Sequence, residues 1–296
     1  MMKAWTGWFN GSNSVCCWKG PGDVMEESKN AYGKVSKLRV VAGENGGRTY
    51  LKELSFTAPF KVMSPFKLPD GGIRVMPLMA SAGILEGDRQ KIYLETESCA
   101  AMECVSQSHE KIHKMKNGSA GRETCLRVGK NAVLLYRPLP VIPFAESAFR
   151  GHTEIWLEDL SSSLFYQEIV SCGRAARGER FDYRHYLSLV EAWRHGKLIY
   201  RENNRFYPDL NAMEDVGMFE GYSYLANLLF FHEDASGCIG KIRRLIEEQQ
   251  EISGGVTLTA ESDVAVRILG SQVQKLQQIC DRIYAIVKEK TGLGTI

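Results

Sequence analysis

Lys91-Ile92-Tyr93-Leu94-Glu95-Thr96 and Thr153-Glu154-Ile155-Trp156-Leu157 place apolar residues at every second position or close to it. That period turns alternate side chains to opposite faces of an extended chain, the mark of a strand with one face in a core. Lys37-Leu38-Arg39-Val40-Val41 and Leu51-Lys52-Glu53-Leu54-Ser55-Phe56 repeat the pattern. Turn-forming clusters separate such segments, among them Pro69-Asp70-Gly71-Gly72, Lys116-Asn117-Gly118, Val128-Gly129-Lys130-Asn131 and His195-Gly196-Lys197. From about residue 35 to 203 no helical period intervenes, which excludes a doubly wound α/β arrangement and predicts a large, mainly β body.

The last third differs. Ile239 to Gln250 reads as a short helix, and Val256-Thr257-Leu258-Thr259 and Val264-Ala265-Val266-Arg267-Ile268 read as strands. Ser271 to Lys290 is the clearest helix, with Val273, Leu276, Cys280, Ile283 and Val287 three or four residues apart and Ile279 and Ile286 widening the stripe. The stripe packs on the protein's own sheet, or it offers Leu276, Ile283 and Val287 to a helical partner. Tyr222-Ser223-Tyr224-Leu225-Ala226-Asn227-Leu228-Leu229-Phe230-Phe231 carries the same ambiguity, as a partner-covered apolar surface or a core helix.

The chain of 296 residues holds 37 Lys and Arg against 35 Asp and Glu, so no strong net field draws it to nucleic acid. No apolar run reaches the length of a membrane span, and no signal-peptide pattern opens the chain, so a cytoplasmic protein is expected. The eight cysteines are dispersed and form no Cys-x-x-Cys pair, which argues against a disulfide scaffold or a zinc ribbon. Cys99, Cys125 and Cys172 read as buried small hydrophobes. The vicinal pair Cys16-Cys17 could hold a soft metal, but two thiolates alone do not complete its shell.

His109-Glu110-Lys111-Ile112-His113 matches the H-E-x-x-H pattern of zinc hydrolases. That chemistry needs a helix, so that both histidines share a face with the Glu beside a metal-bound water. Here the flanks read as strand and turn, Lys111 adds an unfavourable charge, and no third ligand follows. No nucleophile elbow or phosphate-binding loop occurs in its required context.

Four blocks, in order, carry a different signal. They are Ala82-Gly83-Ile84-Leu85-Glu86-Gly87-Asp88, Ser106-Gln107-Ser108-His109-Glu110-Lys111-Ile112, Tyr136-Arg137-Pro138-Leu139-Pro140-Val141-Ile142-Pro143-Phe144, and Glu168-Ile169-Val170-Ser171-Cys172-Gly173-Arg174 followed by Gly178-Glu179 and Phe181. Together they resemble the UreD/UreH-type urease accessory proteins. Glu110 departs from the Thr usual in that family, and this departure creates the H-E-x-x-H appearance. The resemblance covers about residue 45 to the C-terminus, dividing the chain into an extension over 1–45 and a β-rich domain over 46–296.

The resemblance implies stacked, helically wound strands with a few helices, and a scaffold rather than an enzyme. It implies partners: apo-urease, a helical UreF-type protein and a UreG-type GTPase, with a dimeric state inside that complex. It implies no permanent cofactor, only nickel in transit along an internal tunnel. A conduit must bind Ni²⁺ weakly, which suits isolated carboxylates and hydroxyls better than a His/Cys cage. Asp88 and Glu168 are the candidate conduit residues. The alternatives are a turn cap after Gly87 for Asp88, and a salt bridge to Arg174 or another base for Glu168. Ser106, Gln107 and Lys111 are expected in a hydrogen-bond network, and Gly83, Gly87, Gly173, Arg174, Gly178 and Glu179 in structural roles.

Overall fold

A computed structural model describes residues 35–291. The expectations for Cys16, Cys17 and the rest of 1–34 lie outside the described residues. In chain order the strands begin with β1 (Val35–Asn45), β2 (Arg48–Phe56), β3 (Phe60–Val62), β4 (Phe66–Lys67), β5 (Ile73–Val75), β6 (Pro77–Met79) and β7 (Arg89–Thr96). They continue with β8 (Ala101–Cys104), β9 (Glu110–Ile112), β10 (Ala120–Val128), β11 (Val133–Tyr136), β12 (Val141–Pro143), β13 (Ala148–Leu157) and β14 (Ser163–Ser171). After β15 (His185–Arg194), β16 (Lys197–Phe206) and β17 (Tyr224–Phe231) come helix α1 (Ile239–Glu247), β18 (Ile252–Leu258), β19 (Val264–Gly270) and helix α2 (Val273–Thr291).

Among the described residues, one sheet has the order β16-β15-β13-β10-β7-β1-β2 and a second runs β18-β19-β17-β14-β11-β8-β5-β4, with β9 and β12 attached to it. Successive strands alternate between the sheets: β7 lies in the first and β8 in the second, β10 in the first and β11 in the second, β13 in the first and β14 in the second. Each coil stacks in parallel on the one before, pairing Leu94 with Leu126 and Leu126 with Ile155 in the first sheet. In the second sheet Met102 pairs with Leu134 and Leu134 with Leu164. Like residues therefore stack on like, and an apolar core of Leu38, Leu94, Leu126, Leu134 and Leu164 fills the gap between the sheets. The helically wound, mainly β architecture is as the sequence led us to expect.

The fold begins earlier than the proposed domain boundary. Val35–Asn45 pairs in parallel with β7 and antiparallel with β2, so these residues belong to the sheet and not to an extension. Cys125 and Cys172 are buried, but Cys99 is exposed. It sits in the corner between β7 and β8 at φ +64°, in the left-handed region, where a turn outranks the preference of its side chain for burial.

Tyr222–Phe231 is neither a helix nor a surface. Tyr224–Phe231 forms β17, a central strand of the second sheet, and Leu225, Leu228, Leu229, Phe230 and Phe231 are all buried. An apolar run on both faces is what a strand covered on both sides requires. Its outer cover is α1 and α2. Leu276, Ile283 and Val287 have 0%, 1% and 0% exposure and pack with Leu228, Phe230 and Ile268. The stripe is consumed by the protein's own sheet, so these three side chains present no surface to a partner. Leu276→Ala is expected to destabilise the fold by about 2–5 kcal/mol, because it removes fully buried methyl groups and leaves a cavity. Urea denaturation measures the loss.

Candidate functional site

Between the sheets the core is interrupted by a cavity of about 420 Å³. The first sheet contributes Arg122 and Thr124 from β10 and Tyr186 and Ser188 from β15. The second contributes Tyr136 from β11, Glu110 and Lys111 from β9, and Tyr166 and Glu168 from β14. Apart from Lys111, which follows Glu110 directly and so turns to the exposed face of β9, these side chains point inward because strand alternation puts them in phase with the buried Leu and Val positions.

Glu168 is the centre of this site. The Tyr186 hydroxyl donates to its Oε1 over 3.0 Å, and the Ser188 hydroxyl lies 2.9 and 3.0 Å from its two oxygens. Burial raises its pKa above the ordinary carboxylate range, opposed by the Ser188 and Tyr186 hydrogen bonds. The salt bridge to Arg174 is absent from the geometry: Arg174 Nε donates to Glu179 Oε2 over 2.7 Å, and its guanidinium lies 4.1 Å from the Phe144 ring centroid. Glu168 is held by neutral hydroxyls instead.

Arg122 brings a cation to the inner wall. It pairs with Glu110, and its Nε donates to Gln90 Oε1 over 2.8 Å. That pairing neutralises both groups, while burial raises the pKa values of Tyr136, Tyr166 and Tyr186 and keeps their hydroxyls neutral. Glu168 is then the anionic group of the inner wall that has no cationic partner in a salt bridge. Sequence reasoning singled out Glu168 but gave no role to Arg122, Tyr186 or Ser188. A serine within the apolar run Leu187-Ser188-Leu189-Val190 was the one legible sign.

The zinc pattern is not a site. β9 is a strand, Glu110 is committed to Arg122, and His113 Nε2 lies 2.9 Å from the Ala82 carbonyl oxygen. On the first sheet His152, Glu154 and Glu191 bring ligand atoms within 4.8 Å of one another, but Arg201 already lies 3.4 Å from Glu191.

The motif residues sort by position. Gly83, Ser106, Gln107 and Lys111 line the cavity. Ile84 N donates to Lys111 O over 2.8 Å, and Ser106 Oγ accepts from Leu139 N over 2.7 Å, so the first three blocks are laced together by backbone. Gly83 has φ +146° with the Lys111 carbonyl where a Cβ would stand. Asp88 is away from the cavity: its Oδ2 accepts from Leu85 N over 2.8 Å, which makes it a turn cap beside Gly87. Gly173, Arg174, Gly178 and Glu179 form a turn after β14, where Glu179 Oε2 also accepts from Ala145 N over 3.3 Å.

Comparison with known proteins places this architecture. The family model described as UreD urease accessory protein matches residues 34–294. The chain belongs to the UreD urease accessory protein family. It is 37% identical to a urease accessory protein UreD of Acetivibrio thermocellus over 261 residues, 88% of this chain and 99% of that one. It is 34% identical to a urease accessory protein UreH of Helicobacter pylori over 265 residues, 88% of this chain and 98% of the other. A UreD protein of Flavobacterium johnsoniae is 29% identical over 266 residues. The family match begins at residue 34, one residue before β1, in agreement with the start of the sheet at Val35. Among the described residues no helix is long and apolar enough to cross a membrane.

Proposed function

We propose that this protein is a non-catalytic scaffold of urease maturation, and that nickel on its way to apo-urease passes through the cavity at Glu168. The observation that supports this reading is an inward-facing carboxylate whose partners are neutral hydroxyls, in the cavity between the two sheets. One carboxylate with hydroxyl oxygens offers a weak, hard donor set, which lets Ni²⁺ arrive and leave. The nearby Arg122 weakens cation binding further, and its pairing with Glu110 limits that repulsion. The protein acts in the cytoplasm with UreF-type and UreG-type partners, in a complex that is dimeric. It holds no permanent cofactor, and Asp88 serves as a turn cap rather than a ligand.

The test is co-expression of apo-urease and the other accessory proteins with and without this chain, reading nickel per purified urease. Omission is expected to leave assembled urease poor in nickel and correspondingly inactive. Equal nickel content with and without the chain would sink the reading.

A further inference from the structure

The polar character of the cavity does not stop at Glu168. Across the second sheet, Glu168 on β14 stands opposite Asn227 on β17, Asn227 opposite Arg267 on β19, and Arg267 opposite Gly255 on β18. On the facing sheet Ser188 stands opposite Asn204, and Glu202 shares the inward face two residues along β16. These side chains form a polar layer between two apolar clusters, one holding Tyr166, Val190 and Leu229 and the other Val170, Leu225 and Leu269. The layer runs from the cavity to the sheet edge. There it meets an open cleft of about 470 Å³, and nothing stands within 4 Å of a Cβ built on Gly255. A buried polar layer is less favourable than apolar packing of the same volume, so its persistence calls for a use.

At the outer end, oxygens converge on one cation. Arg267 Nη2 donates to Asn204 Oδ1 over 2.8 Å and to Glu202, and Arg267 Nε donates to Asn227 Oδ1 over 3.2 Å. The Tyr200 hydroxyl and Asn204 Nδ2 each donate to Glu202 over 3.0 Å, holding its carboxylate in place. The anchors are enclosed, with Asn227 5% and the Glu202 side chain 13% exposed, whereas the Arg267 side chain is 52% exposed and can swing into the cleft.

We propose that Glu202, Asn204 and Asn227 form a second cation seat at the outer mouth of the polar layer, which Arg267 occupies until a divalent cation displaces it. The proposal deepens the reading of the Glu168 cavity as a nickel passage, and rests on that reading for the identity of the cation. Oxygen donors with a single carboxylate make the seat weak, as a point of exit requires. The tethered guanidinium keeps it closed to adventitious cations in the resting protein.

Equilibrium dialysis of the purified full-length chain against nickel chloride tests the seat. Arg267→Met keeps the aliphatic stem and removes the charge, and is expected to bind about one further nickel ion per chain than the parent. Adding Glu202→Gln should abolish that gain, and Arg267→Lys should show none. An Arg267→Met protein that melts like the parent and gains no nickel overturns the proposal. If Arg267→Met fails to fold, the parent decides: a second, weaker nickel step that Glu202→Gln lacks supports the seat, and identical isotherms overturn it. The gain should persist in Arg267→Met/Glu168→Gln. Unchanged nickel binding in Glu168→Gln alone would count against the cavity reading while leaving the result at Glu202 to stand or fall by itself.

Discussion

Glu168→Gln is expected to melt at a higher temperature than the parent at neutral pH while leaving co-expressed urease poor in nickel. Burial raises the Glu168 pKa, so folding works against the charged form of this carboxyl. A carboxyl raised in the folded state contributes stability that is fully present below its unfolded pKa and lost as pH rises through the folded value. Above that value the charged carboxylate is a cost of folding, which the neutral amide removes while remaining able to bond Tyr186 and Ser188. Each 1 kcal/mol recovered would appear as roughly 2–4 °C for a chain of ordinary domain size. The stability difference should shrink as pH falls toward the carboxylate range, because both proteins are then neutral at this position. Nickel per urease should fall several-fold with accessory-complex assembly unchanged. A variant that is less stable at neutral pH would show that Glu168 is a structural anchor, and normal nickel loading would remove it from the passage.

Arg194→Met is expected to cost about 3–5 kcal/mol, the usual consequence of stripping one partner from a buried ion pair. Arg194 ends β15 in the first sheet, and Asp263 precedes β19 in the second. Arg194 Nη2 lies 2.8 Å from Asp263 Oδ1, with side-chain exposures of 5% and 2%. Burial raises the Asp263 pKa even with Arg194 pulling it down. Without Arg194 the carboxylate is left with less to stabilise its charge, and its pKa rises further. By the same sign rule, the deficit of the variant should be smallest in acid and should grow as pH rises. Arg194→Met/Asp263→Leu should recover most of the loss, because apolar side chains of similar volume replace a buried pair at little cost. Denaturant midpoints over a pH series read both effects. A single variant within about 1 kcal/mol of the parent at neutral pH would show that the pair does not join the sheets.

Much of this was legible in residue order. Period-two alternation around Ile92 and Ile155 located strands because a sheet with one buried face must alternate, and Leu276, Ile283 and Val287 located α2 because a packed helix must repeat its apolar positions. Where both faces are buried that signal disappears. Tyr222–Phe231 therefore reads as a partner-covered surface or a core helix, and its place as a strand emerges only once its neighbours are known. Glu168 could be picked out as a carboxylate in an apolar setting, but its partners could not. Arg174 is six residues away and was the obvious counter-ion, while Tyr186 and Ser188 arrive from another sheet, 18 and 20 residues along the chain.

Glu110 shows the opposite hazard. In sequence it completes an H-E-x-x-H pattern, and in space it is the counter-ion of Arg122 on the facing sheet. The linear pattern carries zinc chemistry only if a helix brings both histidines to one ion, and β9 does not.

The amino-acid sequence by itself determined the mainly β class, the helical cover at the C-terminus and, through four ordered blocks, the family, because these rest on local periodicity and local turns. The tertiary structure alone decided which polar groups share the gap between the sheets. In a wound β body, contacts across that gap join residues whose separation is set by the length of each coil, and no short-range pattern encodes which inward side chain meets which.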